Sequence, residues 1–166
     1  EFLGEEPFKN VYFTSILRDV NGKKFSKSLG NSPDPITLFK EFGTDAVRFG
    51  TLLMAPQGLD VLFSKDRLEV GKNFMNKLWN AARFTFMNLI DGIPPDIDLS
   101  HENLDISDKW IISRLEETAF NVNRELNNYR FNEAAKVIYE FTWNDFCDWY
   151  VEIAKIRLYG DDPKKA

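Results

Sequence analysis

Leu68, Met75, Leu78, Ala82 and Leu89 recur at steps of three, four and seven residues. That spacing collects apolar side chains on one face of a helix. Ser64 stands before the run as its N-cap, and the helix is expected to end near Gly92. A second set, Ile111, Leu115, Ala119, Val122 and Leu126, predicts a helix from about Ser107. After the Asn127-Asn128 break, Ala135, Ile138, Thr142, Phe146, Trp149 and Ile153 predict a third, with Asn132 as its cap. Three helices with short links predict an antiparallel helical bundle.

The pattern before Ser64 is different. Val11 to Val20 is β-branched and aromatic, which predicts a strand. Asn21-Gly22 predicts a two-residue turn, and Lys23 to Phe25 a short return strand, giving a β-hairpin. A Ser-, Gly-, Asn- and Pro-rich loop follows from Ser26 to Pro33. Asp34-Pro35 is an N-cap followed by a first helical residue, Leu38, Phe39 and Phe42 form the stripe, and Gly43 ends that helix. Thr44 or Asp45 would cap a second short helix with Val47, Phe49 and Leu52 inward. Ala55 to Phe63 is a connector. The expected fold class is therefore mainly α with a small α/β element. Residues 1–63 form the first unit and 64–166 the helical one, with a linker at about 92–106.

At 166 residues, 43% hydrophobic and 28% charged, the chain can bury a core. Nothing approaches the roughly 20 apolar residues of a membrane span, so no membrane partner is expected. The first residues, Glu1 to Glu6, lack the features of a signal peptide and read as a cut through a longer protein. A single cysteine, Cys147, excludes an internal disulfide and a cysteine-cluster zinc site, so no metal site is expected within the chain. Both points fit a cytoplasmic location. The net charge of −5 argues against a bulk nucleic-acid surface. Between Lys9 and Asn31, however, five cations and one anion give +4, leaving −9 on the remainder. Such an island can focus an anion, although a solvated basic turn would look the same by charge alone.

The chemistry concentrates in Lys24-Phe25-Ser26-Lys27-Ser28, followed by Leu29-Gly30-Asn31. A polyphosphate is recognised by point charges, hydrogen-bond donors and a backbone that can come close. Lys24 and Lys27 supply charge on flexible stems, and Ser26 and Ser28 supply hydroxyls.

This run resembles the signature loop of the class I aminoacyl-tRNA synthetases, usually Lys-Met-Ser-Lys-Ser, with Phe25 in place of methionine. Arg18-Asp19-Val20-Asn21-Gly22, Gly30 to Pro35 and Phe42 to Phe49 also follow the family's pattern. Within the class the pattern is most similar to the valyl-tRNA synthetase family. Gly58 to Phe63, Gly71 to Phe84 and Trp143 to Tyr150 carry that likeness. An isoleucyl or leucyl counterpart is the near alternative, and a non-catalytic RNA-binding helical module is the alternative of another class.

The resemblance implies a parent ligase that uses ATP, with Mg2+ accompanying the nucleotide, to activate valine to valyl-adenylate and transfer it to tRNA(Val). Lys27 is the implied catalytic cation, with Lys24 also catalytic. Lys24, Phe25, Ser26, Lys27 and Ser28 form the implied ATP loop, while Gly30 and Asn31 shape its turn. Phe25 is expected to pack beneath it. From Ser107 the anticodon-binding helical domain would begin. Lys109, Arg114, Arg124, Arg130, Lys155 and Arg157 are candidate tRNA-phosphate contacts, with ordinary solvated helix charges as the stronger reading. Trp143, Phe146, Trp149 and Tyr150 read as core more than as base-stacking surfaces. Asn73, Asn76 and Asn80 read as helix-surface or interhelical hydrogen-bonding groups. His101, the only histidine, does not match the family's His-Ile-Gly-His motif. The segment alone is therefore expected to be inactive and to act with the rest of a synthetase chain.

Overall fold

A computed structural model describes residues 4–56, 58–89 and 104–160. The expected stop at Gly92, most of the linker and His101 lie outside these residues. The described part is largely helical, with one small parallel sheet: β1 (Leu17–Arg18) pairs with β2 (Val61–Leu62), Leu17 opposite Val61 and Arg18 opposite Leu62. The long strand expected over Val11 to Val20 is thus reduced to two residues. Val11 and Phe13 are exposed, and β-forming side chains without a neighbouring strand have no ladder to join. The return strand is not formed either. A single antiparallel bridge joins Arg18 and Lys24, and the turn between them spans five residues, closed by Asp19 N–H to the Lys23 carbonyl at 2.8 Å.

Local signals set the next elements. In α1 (Pro35–Phe42) the Asp34 carboxylate accepts from the Ile36 and Thr37 amides, proline occupies the first turn, and Gly43 (φ 93°) stops the helix. Gly43 is also the N-cap of α2 (Thr44–Met54), which has no side-chain cap, so neither Thr44 nor Asp45 serves there. Ala46, Val47, Gly50 and Met54 face inward, and Leu52 is exposed. Ser64 does cap α3 (Lys65–Asn88), accepting from the Asp66 amide. Its buried face runs through Leu68, Gly71, Phe74 and Ala81; Leu78 is 44% exposed. The face turns toward Gly71 because α2 and α3 cross at two glycines. A Cβ on Gly50 would lie 2.7 Å from the Arg67 carbonyl oxygen, and one on Gly71 would collide with that of Ala46. Leu38, Phe42, Ala46, Val47, Met54, Val61 and Leu68 form the core around this crossing.

The second half comprises α4 (Ile106–Asn127), α5 (Phe131–Glu140), a π-helical segment (Phe141–Tyr150) and α6 (Val151–Leu158). Asp105 and Asp108 form a capping box at the start of α4. Arg130, not Asn132, precedes α5, without a side-chain cap. Helix α4 runs antiparallel to the 131–158 helix: Asp108 faces Tyr150 and Arg157, and Arg114 faces Asp145. The three-helix bundle is not completed by α3, which packs chiefly on α2 and on the π-helical segment. The stripe of α4 is also displaced. Ile111, Thr118 and Glu125 are buried, while Leu115 and Leu126 are exposed.

Stacked and tilted rings tie the halves together. Phe49 of α2 stacks on Phe74 of α3 at 4.6 Å, Phe74 meets Tyr139 of α5 at 5.1 Å, and Tyr139 stacks on Trp143 at 5.5 Å. Core packing accordingly absorbs most of the aromatic run, with Trp149 left 63% exposed. No described helix is long and apolar enough to cross a membrane.

Candidate functional site

The two turns that follow β1 are joined by one pair of side chains. Asp19 closes the first: its Oδ1 accepts from the Asn21 and Lys23 amides, each at 2.9 Å. Asn31 closes the second: its Oδ1 accepts from the Ser26 amide at 2.9 Å, and its Nδ2 donates to the Lys24 carbonyl at 3.3 Å. The same Nδ2 donates to Asp19 Oδ2 at 2.9 Å. The Asn31 amide, and after it the Lys23 backbone N–H, hold the Asp19 carboxyl below the usual carboxylate range. Arg18 braces the outside, donating through Nε to Asp60 at 2.6 Å and through Nη1 to the Gly22 carbonyl at 3.1 Å.

Within this frame Lys24, Lys27 and Ser28 are exposed, and Ser26 is half-buried. Neither lysine forms an ion pair among the described residues. The Ser26 and Ser28 hydroxyls meet at 2.8 Å. Residues 26–30 form a turn, with Leu29 N–H on the Ser26 carbonyl and Gly30 N–H, at φ 63°, on that of Lys27. Phe25 packs beneath, edge-on to Phe63 at a centroid distance of 5.7 Å, which seats the loop against the residue following β2. The sequence-predicted residues therefore share one small loop, with two cations and a hydroxyl directed to solvent. Asp19 as the partner of Asn31 was missed by sequence reasoning. An Asx-type turn signal at Asp19 was available, but its contact across twelve residues was not.

Among the described residues no group of three or more His, Cys, Asp or Glu side chains converges.

The basic residues of the helical half are mostly engaged. Arg114 contacts Asp145 at 2.9 Å and Glu117 as well. Arg124 and Arg130 flank the buried carboxylate of Glu125 at 2.9 and 2.6 Å, the latter contact lying off the hydrogen-bond direction. Lys155 pairs with Glu152 and lies over the Phe84 ring at 5.5 Å. Arg157 binds Asp105 and Asp108 at 2.9 and 2.8 Å. The ion pairs of Arg114 with Asp145, Arg130 with Glu125 and Arg157 with Asp105 and Asp108 join neighbouring elements, those of Arg124 and Lys155 lie within one helix, and Lys109 is exposed. Asn73, Asn76 and Asn80 lie on the helix surface.

The comparisons divide along the same chain. Residues 1–64 match the model of tRNA synthetases class I (I, L, M and V), and residues 108–166 that of the anticodon-binding domain of tRNA ligase. By fold and loop, the chain belongs to the class I tRNA synthetases. Its relatives within the class are valine–tRNA ligases. The chain is similar to that of Fusobacterium nucleatum (55% identical over 96% of this chain), that of Syntrophotalea carbinolica (50% over 98%) and that of Bacillus cereus (47% over 98%). It spans about a fifth of their length, 18% in each case. Among solved structures, a LeuRS of Agrobacterium radiobacter, in a ternary complex with tRNA and LeuAMS, superimposes with a TM-score of 0.70 at 26% identity. That match covers 85% of this chain and 19% of the other.

Proposed function

We propose that this chain is the signature-loop and early anticodon-binding segment of a cytoplasmic valine–tRNA ligase, divided near residue 63, and that Lys27 is its principal catalytic cation. The parent enzyme joins valine to ATP and passes the valyl group to tRNA(Val). In the first step a valine carboxylate oxygen forms a bond to the α-phosphorus. The bond from that phosphorus to the bridging oxygen breaks, and its electron pair leaves with pyrophosphate. The carboxylate is already ionised at neutral pH, so no general base is required. Charge shifts toward the leaving oxygens, and a cation placed there stabilises the transition state more than the ground state.

One observation carries this reading. Lys24 and Lys27 project from a loop whose base is held by hydrogen bonds, and neither is occupied by an ion pair among the described residues. A lysine serving the fold would resemble Lys77 or Lys155, which are paired with Asp148 and Glu152. Lys27 acts on the departing phosphates, while Lys24, Ser26 and Ser28 orient them, and Phe25 supports the loop from below. Mg2+ supplies further charge neutralisation when it arrives with the nucleotide; the described residues offer no carboxylate cluster of their own to hold it.

The test is valine-dependent ATP–pyrophosphate exchange by the full-length ligase. Lys27→Ala is expected to lower kcat by about 10²–10³, and an unchanged rate would remove Lys27 from the mechanism. The 166-residue chain alone is expected to give no exchange.

A further inference from the structure

We propose that Asp19 and Asn31 form a positioning clamp that sets the reach of Lys27 during amino-acid activation. The inference rests on the reading of residues 24–28 as the phosphate loop and adds two residues that touch no substrate.

The geometry is specific. A carboxamide both donates and accepts, and Asn31 uses both capacities. It accepts from the Ser26 amide at 2.9 Å and donates to Asp19 at 2.9 Å and to the Lys24 carbonyl at 3.3 Å. Asp19 is acceptor-only when ionised, and its other oxygen takes the Asn21 and Lys23 amides. Five contacts therefore converge on two side chains. They pin the backbone on both sides of Lys24 and at Ser26, the residue before Lys27. Lys27 itself is left free at the tip, so its ammonium moves on its own stem from a fixed origin. A loop of this kind confines a catalytic cation to a small volume without binding it, and an error of about 1 Å in such placement costs on the order of 10² in rate.

The pairing also predicts its own repair. Asn31→Asp sets a second carboxylate against Asp19, and the loop base is pushed apart. Asp19→Asn added to it reverses the polarity. The amide introduced at position 19 can accept from the Asn21 and Lys23 amides through its oxygen and donate through its nitrogen to the carboxylate introduced at position 31. That carboxylate still accepts from the Ser26 amide. Only the long contact to the Lys24 carbonyl is lost.

The test uses the full-length ligase with four variants: Asn31→Asp, Asp19→Asn, the exchanged pair and Lys27→Ala. Valine-dependent ATP–pyrophosphate exchange gives kcat and KM, and amide hydrogen exchange reports on Lys23 and Ser26. Asn31→Asp is expected to lower kcat about 10–100-fold, with the KM for valine within about twofold, and to speed exchange at both amides. The exchanged pair is expected to return kcat to within about fivefold of the parent and to restore amide protection. If Asn31→Asp leaves kcat within twofold while Lys27→Ala is slow, the clamp is wrong and the loop reading stands. If Lys27→Ala is also unimpaired, the loop reading itself fails. An exchanged pair no better than Asn31→Asp would overturn the clamp, because the two side chains would then not be acting on each other.

Discussion

Lys77 of α3 donates to Asp148 of the π-helical segment at 2.6 Å, across 71 residues of chain. The same ammonium lies 5.0 Å from the centre of the Trp143 ring. The hydrogen bond to Asp148 is the main reason that Lys77 is held more basic than usual. Both partners are about one-third to one-half exposed, so solvent screens much of the attraction.

The expected cost of Lys77→Ala is therefore moderate, about 1 kcal/mol from the ion pair and the ring contact together. A double-mutant cycle with Asp148→Ala, read by urea unfolding, should show a coupling of about 0.5 kcal/mol. A coupling above about 3 kcal/mol would mean that the pair behaves as a buried one.

Gly71→Ala should be far more damaging. Its methyl group would meet the Ala46 carbonyl oxygen, a backbone atom that cannot rotate aside. Separation of α2 from α3 would loosen the core around Leu68, and a loss of about 1–3 kcal/mol or more is expected. Thermal unfolding checks this; an unchanged Tm would show that the crossing can open without cost.

Acid should weaken the contact between α4 and α6 at a defined point. Arg157 is the main reason that Asp108 is held below the ordinary carboxylate range, while Asp105 is lowered first by the Ser107 hydroxyl. A carboxyl lowered on folding contributes stability above its unfolded value of about 3.9 and loses it as pH falls through the folded value. Stability should thus be flat at neutral pH with respect to these groups and decline below about pH 4. Asp108→Asn should flatten that decline, as measured by urea midpoints from pH 3 to 7.

Phe25→Met removes the edge-on contact with Phe63 while keeping an apolar plug under the loop. The expected loss is below about 1.5 kcal/mol. In the full-length ligase, kcat for ATP–pyrophosphate exchange should stay within about threefold, because both lysines keep their anchoring. A much slower variant would show that the aromatic pair itself tunes the loop.

The parts of this fold that could be read in advance rest on local chemistry. Asp34, Pro35 and Gly43 delimit α1 through contacts made within a few residues, and Ser64 does the same for α3. Val11 to Thr14 could not be judged alone, because strand character depends on a neighbouring strand, and among the described residues the pairing with β2 begins only at Ile16. The face of α4 misled for another reason. Thr118 lies inward and hydrogen-bonds the Arg114 carbonyl at 2.7 Å, and Glu125 lies inward between two arginines, so polar groups occupy places that hydropathy assigns to leucine. At the loop, residue type, spacing and the family resemblance marked Lys24 to Ser28 as candidates, whereas the Asp19–Asn31 bond belongs to tertiary folding.

The π-helical segment interrupts the period of the last apolar stripe, where Trp149 is exposed and Cys147 and Val151 are buried. Val151 N–H bonds the Phe146 carbonyl, five residues back, so inward positions after it no longer follow the α-helical period. That widened coil works as a gear offset between two rigid shafts. Losing it would change the phase at which everything downstream meets its neighbours. Arg157 would then be swung away from the mouth of α4, and the chain's final helix would engage its neighbour with the wrong teeth.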